Sequence, residues 1–308
     1  MENKYYNEYA EFYDLDYSKL TPAAEAGYID PDGEFYIGES GGFIFKMPTF
    51  INTNLFSASA KHFKEFGKYT LHEGDPYNPL HLNSVEYNNF WKEEERRRKE
   101  GFTLPCQLID GKVENLRITG KHYGFLNYAR ILRVPQSVLD MAVKTGEIPA
   151  SAIRKEVDFP QFFGGQYMWF KVKEFSKRNG FHLIVGKSRR AGFSYVEAYD
   201  AADEINLYPK TTVILGAYDK KYLTQGDATS KMASNYIQFF EENTNFIRYI
   251  AKNDTESEIQ LGYKEQGSKF ISGYKSKILV ITFGNNPDAA IGKDASLIKL
   301  EELSNFPN

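Results

Sequence analysis

The tightest constraint on this chain lies in its second half, where four short apolar runs alternate with helical stretches. The runs are FHLIV at 181–185, TTVILG at 211–216, KILVITF at 277–283 and SLIKL at 296–300. Each is short, and together they are rich in β-branched residues, so each predicts a strand. They show little polar alternation, as expected of strands covered on both faces. Between them, SYVEAYDAADEIN at 194–206 and most of 219–242 read as helices, and 258–274 reads as a hairpin or an irregular excursion. This βαβ order predicts an α/β fold, a three-layer sandwich around a mostly parallel central sheet.

Upstream, YMWFKVKEFSKR at 167–178 has the face pattern of an amphipathic helix, and Asn179-Gly180 ends it. Two prolines and a glycine pair in 149–166 mark a hinge or an entry into this unit. Residues 84–100, SVEYNNFWKEEERRRKE, predict a helix capped by Ser84. Its charge run reads either as a solvated helix face or as a basic patch at Arg96, Arg97 and Arg98. Residues 116–132 predict a short apolar element, a glycine turn and an aromatic segment bound for the core, and a hairpin is expected near 22–46. The expected division is an irregular α+β accessory region over 1–135, followed by the sandwich over 136–308.

With 308 residues there is enough chain for one large domain or two ordinary ones. The hydrophobic fraction is 42% and the charged fraction 26%, as in ordinary globular proteins, while 24 Phe and 22 Tyr suit a core or an interface. The formal net charge of -3 argues against strong autonomous DNA binding by the whole surface, so any grip on DNA would be local. The lone Cys106 predicts a structural, half-buried thiol, and without an HExxH pattern no structural metal is expected. The first residues, MENKYYNEYAEF, lack the order of a signal peptide, and no apolar run reaches membrane-spanning length. An intracellular protein without membrane contact is expected. The chain stops at Asn308 just after the fourth run, so more sheet elements are expected in a longer parent protein.

The segment GKSRRAGFS, Gly186 to Ser194, sits between a predicted strand and a predicted helix. That is where backbone N–H groups and a helix N-terminus cradle phosphate. Gly192 allows close backbone approach, and Ser194 supplies a hydroxyl suited to Mg²⁺. The pattern departs from GxxxxGK[ST]: Phe193 holds the usual lysine position, and Gly186 lies one residue too far from Gly192. Lys187, Arg189 and Arg190 supply cations instead. After the fourth run, Glu301 and Glu302 offer a metal-side acid and a carboxylate to orient an attacking water. ATP with Mg²⁺ would neutralise both sets of charges.

These residues resemble the variant Walker A and Walker B segments of the large terminase subunits of tailed bacteriophages. The resemblance covers roughly 85–308 and includes ITGKHY at 118–123 with FLNY at 125–128. It implies a P-loop ATPase whose loop comprises Gly186, Lys187, Ser188, Arg189, Arg190, Ala191, Gly192, Phe193 and Ser194. Lys187 matches the phosphate-contacting lysine, and Arg190 or Arg189 the loop's second cation. Ser194 and Glu301 match the Mg²⁺ side, where Asp is usual at the second position, and Glu302 matches the catalytic glutamate. Gln166 and Gln161 are candidates for the adenine contact. The implied function is ATP hydrolysis driving double-stranded viral DNA into a procapsid. The implied partners are the portal protein, the small terminase subunit and further copies in a homo-oligomeric ring; in isolation the fragment is expected to be monomeric. The implied location is the host cytoplasm, transiently at the portal vertex. The family's nuclease half does not lie within these residues. A helicase-like P-loop ATPase and a non-catalytic phage structural or adaptor protein with a degenerate loop are the other readings.

Overall fold

A computed structural model describes residues 15–47, 58–71, 80–107, 112–135, 155–186, 192–226, 228–284 and 286–302, with positions 138, 145, 146 and 306. The first described strands, β1 (Thr21–Pro22), β2 (Phe35–Ile37) and β3 (Phe43–Phe45), form an antiparallel three-stranded sheet. It includes the hairpin expected near 22–46. Helix α1 (Ala58–Phe66) and helix α2 (Val85–Glu100) follow. Ser84 caps α2 as its chemistry predicts, its hydroxyl accepting from the Tyr87 N–H. Strands β4 (Phe102–Gln107) and β5 (Val113–Ile118) pair antiparallel, and α3 (Gly120–Tyr128) is capped by Thr119. Eight of the nine α3 residues are buried, which fits the aromatic segment expected in the core. Strands β6 (Ile131–Arg133) and β7 (Glu156–Asp158) form a small pair ahead of α4 (Gly164–Asn179). Gly180, left-handed at φ 74°, ends α4.

Helix α5 (Phe193–Leu207) leads into β8 (Thr212–Ala217), then α6 (Lys221–Thr224) and α7 (Thr229–Asn243). Strands β9 (Ile250–Asp254), β10 (Glu258–Leu261), β11 (Tyr263–Lys264), β12 (Ile271–Ser272), β13 (Lys277–Thr282) and β14 (Leu297–Glu301) complete the described elements. The central sheet runs β14-β8-β13-β10-β9. Its core of β14, β8 and β13 is parallel, and β10 and β9 extend it antiparallel. β8 is buried at all six positions, so both its faces are covered, and α5 packs against β8 and β13. This is the α/β layering that the apolar runs predict.

Two expectations need correction. The run at 181–185 is no strand: residues 181–186 are exposed and pair in no ladder, with Ile184 82% exposed. Helices α4 and α5 lie side by side and point the same way, as Trp169 meets Phe193, Lys173 meets Asp200 and Lys177 meets Glu204. The chain leaving α4 must therefore turn back along the helices before it enters α5. The second correction concerns α2, which is not simply a solvated face. Arg96 is exposed and pairs with Glu93 and Glu100 along the helix. Arg98 is fully buried, donating to Asp203 at 2.6 and 2.9 Å and lying 4.1 Å from the Phe246 ring. Neither a solvated run nor a basic patch describes it. Cys106 is fully rather than half buried.

Candidate functional site

The candidate site is built where α5 begins and β14 ends. Helix α5 turns through Tyr208–Thr211 straight into β8, so α5 runs against β8 and its first turn lies at the carboxyl end of the parallel strands. Glu301 closes β14 at that same end, in register with Ala217 of β8. A side-chain junction ties the two elements together. Lys299, buried on the α5 side of β14, bonds Glu197 and reaches Asp200 at 2.5 Å. Ser194 lies one turn before Glu197, and Glu301 lies two residues after Lys299. Both therefore extend from one junction toward one edge.

The first turn of α5 has the backbone that an anion site needs. Gly192 is its N-cap, left-handed at φ 72°, and no side chain caps the helix. The leading N–H groups are left to other partners. Glycine suits the left-handed backbone there, and a Cβ would press within 3.2 Å of Gln166 Nε2. Gln166 is buried against the loop, and its Oε1 has no hydrogen-bond partner among the described residues. Gln161 is half-buried. Ser194 is exposed on the first turn. Phe193 is half-buried, packed on the core and edge-on to Trp169 at 6.3 Å. It pins the start of the helix against α4. Gly186 ends the exposed 181–186 segment. Lys187, Ser188, Arg189, Arg190 and Ala191 lie outside the described residues.

The two glutamates differ. Glu301 accepts a 2.8 Å hydrogen bond from Thr229 Oγ1, the first residue of α7. A carboxylate there also meets the positive end of the α7 dipole. Glu302 is exposed, and its carboxylate has no partner among the described residues. Its backbone is left-handed at φ 52°, a conformation that costs a non-glycine residue energy. Thr229 had no signal in the sequence, because nothing local ties it to a residue 72 positions on.

Beneath this edge lies a buried ion cluster that sequence reading missed. Glu197, Asp200, Asp203 and Glu204 form an acidic face of α5. Lys121 of α3 reaches Asp203 at 2.8 Å and Glu204 at 2.9 Å, and Lys177 of α4 reaches Glu204 at 3.0 Å. Lys173 bonds Asp200. Burial works against the charge on Lys299, yet Asp200 and Glu197 outweigh it and hold its ammonium above the ordinary lysine range. Burial likewise opposes ionisation of Asp200, but Lys173, Lys299 and Lys121 keep it well below the usual carboxylate range. Burial pushes Lys173 down to about 8 in spite of Asp200, with Lys299 and Lys121 adding to the effect.

Among the described residues there is no group of three or more His, Cys, Asp or Glu placed to hold a metal ion. A cation shared between Ser194, a carboxylate and phosphate oxygens needs no such group. No helix among the described residues is long and apolar enough to cross a membrane. No family model matches the chain, and no curated protein shows significant similarity to it.

Proposed function

We propose that this chain is the P-loop ATPase part of a phage large terminase, hydrolysing ATP to drive double-stranded DNA into a procapsid. The observation that carries this reading is the convergence of two separate features on one sheet edge. An uncapped helix start at Gly192–Ser194 and a strand end at Glu301–Glu302 meet through Lys299 and Glu197. In open α/β sheets that carboxyl edge is where ligands bind.

The residues fit the implied Mg²⁺-nucleotide. The α5 N–H groups and dipole suit phosphate, the exposed Ser194 hydroxyl suits a hard cation, and the free Glu302 carboxylate suits positioning of water. Bound Mg²⁺ would supply charge neutralisation on the phosphates. Gln166 would present its unpartnered carbonyl to a donor on the base. Glu301, engaged by Thr229, would hold the cation's water shell rather than the cation itself. Lys187 and Arg190 belong to the same reading through the sequence resemblance, as do the portal, the small subunit and the ring.

The test separates binding from turnover. Lys187→Ala is expected to weaken nucleotide binding and slow hydrolysis. Glu302→Gln is expected to keep Mg²⁺-ATP binding while single-turnover rates fall by roughly 10²–10⁴-fold. Unchanged isotherms and rates in both variants would remove the site. The exposed 181–186 segment, outside the sheet, favours a second reading, a non-catalytic adaptor with a degenerate loop. Absence of ATP binding by the unmodified protein would select it.

A further inference from the structure

At the opposite edge of the sheet, β11 and β12 form a small ribbon between β10 and β13. Residues 263–277 hold Lys264, Lys269, Lys275 and Lys277 against a single acid, Glu265. Lys264, Lys269 and Lys275 are exposed and have no ion pair among the described residues. Interleaved with them are open aromatic rings: Tyr249 is 62% exposed, Tyr263 46% and Phe270 81%.

Backbone and ring contacts tie the base of the ribbon to the sheet. The Gly262 N–H donates to the Tyr249 carbonyl at 2.9 Å, and the Lys275 N–H to the Leu261 carbonyl at 2.9 Å. Tyr249 and Tyr263 meet edge to face at 6.3 Å. Tyr263 lies so close over Gly273 that a Cβ there would come within 2.8 Å of its ring. Five described non-glycine residues have a left-handed backbone, and three of them gather here: Lys210 (φ 59°), Tyr249 (φ 58°) and Lys275 (φ 63°). Lys210 joins through its N–H, which donates to the Tyr274 carbonyl at 3.0 Å. Each such conformation is disfavoured for a non-glycine residue. Here that strain displays side chains and buries little.

Unpaired lysines suit phosphates, and open aromatic faces suit unstacked bases of any sequence. We propose that this ribbon binds single-stranded nucleic acid, with Lys264, Lys269 and Lys275 on the backbone and Phe270, Tyr263 and Tyr249 as stacking platforms. Duplex offers the lysines the same phosphates but hides its bases from the rings. Lys210 leads into β8 and Lys275 into β13, so the ribbon lies at the amino edge of the parallel strands. Glu301 lies at the other edge, about 20 Å of strand away. The proposal stands on its own observations, whether or not the carboxyl edge binds nucleotide.

The test is fluorescence anisotropy of the whole 308-residue protein with labelled oligo-dT, with a duplex of equal length and with an acidic peptide, over a salt series. Oligo-dT is expected to bind best, with a log–log salt slope near about -2 for three lysine contacts on a single strand. Lys264→Glu with Lys269→Glu should weaken binding at least about tenfold. Phe270→Ala should weaken oligo-dT binding by roughly tenfold and leave any duplex binding unchanged. Lys275→Asn, which tolerates the left-handed backbone, provides a second charge variant, and circular dichroism confirms that each variant is folded. Three outcomes would overturn the proposal: no oligo-dT binding at low salt, equal binding by the charge variants, or preference for the duplex or the acidic peptide.

Discussion

His122 sits fully buried between Phe162 and Phe170, stacked on their rings at 5.1 and 4.8 Å. Neither ring nitrogen has a hydrogen-bond partner among the described residues. Burial, aided by the Lys171 cation, lowers its pKa from 6.5 to about 3. Between those values the unfolded chain takes up a proton that the folded chain refuses. Stability therefore falls as pH falls through that window, by up to about 1.4 kcal/mol per pH unit from this residue. His122→Phe keeps the stack and removes the proton site, so it should flatten this part of the profile. Urea unfolding of both proteins at several pH values from 7 down to 4 would check it, and equal slopes would contradict it. Single residues also set the limits of sequence reading. Gly192, Ser194, Glu301 and Glu302 share an edge of the sheet, yet the packing of Phe193 could not be read from its sequence neighbours alone. Its role depends on Trp169, which belongs to another helix.

At the scale of elements, amphipathic and apolar patterns made α4, α5, β8, β13 and β14 legible, because those patterns report directly which face needs cover. They do not report what pairs with what. The 181–185 run has the composition of a buried strand, but ladder partners are non-local, and here no described strand pairs with it. Arg98 was hidden for the same reason: its partner Asp203 is 105 residues away. That pair yields a prediction for the α2–α5 contact. Arg98→Met leaves Asp203 with Lys121 and the Tyr199 hydroxyl and removes the ring contacts of the guanidinium. A loss of about 3 kcal/mol is expected, the lower end for breaking a buried pair. Adding Asp203→Leu should recover part of that loss. Chemical denaturation across the four proteins of the cycle measures this, and simple additivity would show that the two residues do not depend on each other.

At the scale of the whole molecule, the region before residue 135 is bound into the sheet layer. Arg98 and Lys121 come from α2 and α3, while their carboxylates belong to α5. A protein starting at residue 150 would bury Asp203 without either cation and would expose the apolar face that α3 covers. It should unfold without a sharp transition and be cut rapidly by protease, whereas the full chain should resist both. A fragment as cooperative as the full chain would contradict this.

The ion cluster has a consequence for the order in which the molecule is made. Four of the cations that serve α5, those of Arg98, Lys121, Lys173 and Lys177, leave the ribosome before the helix does. The fifth, Lys299, follows Glu197 by 102 residues. Until it arrives, a nascent α5 carries carboxylates that are only partly matched, and β14 has no ion pair to guide it onto β8. Contacts so distant in sequence form late in folding. Docking of β14 would then be among the last steps, and the edge that joins Ser194 to Glu301 and Glu302 would come into being only when synthesis of this segment is nearly finished.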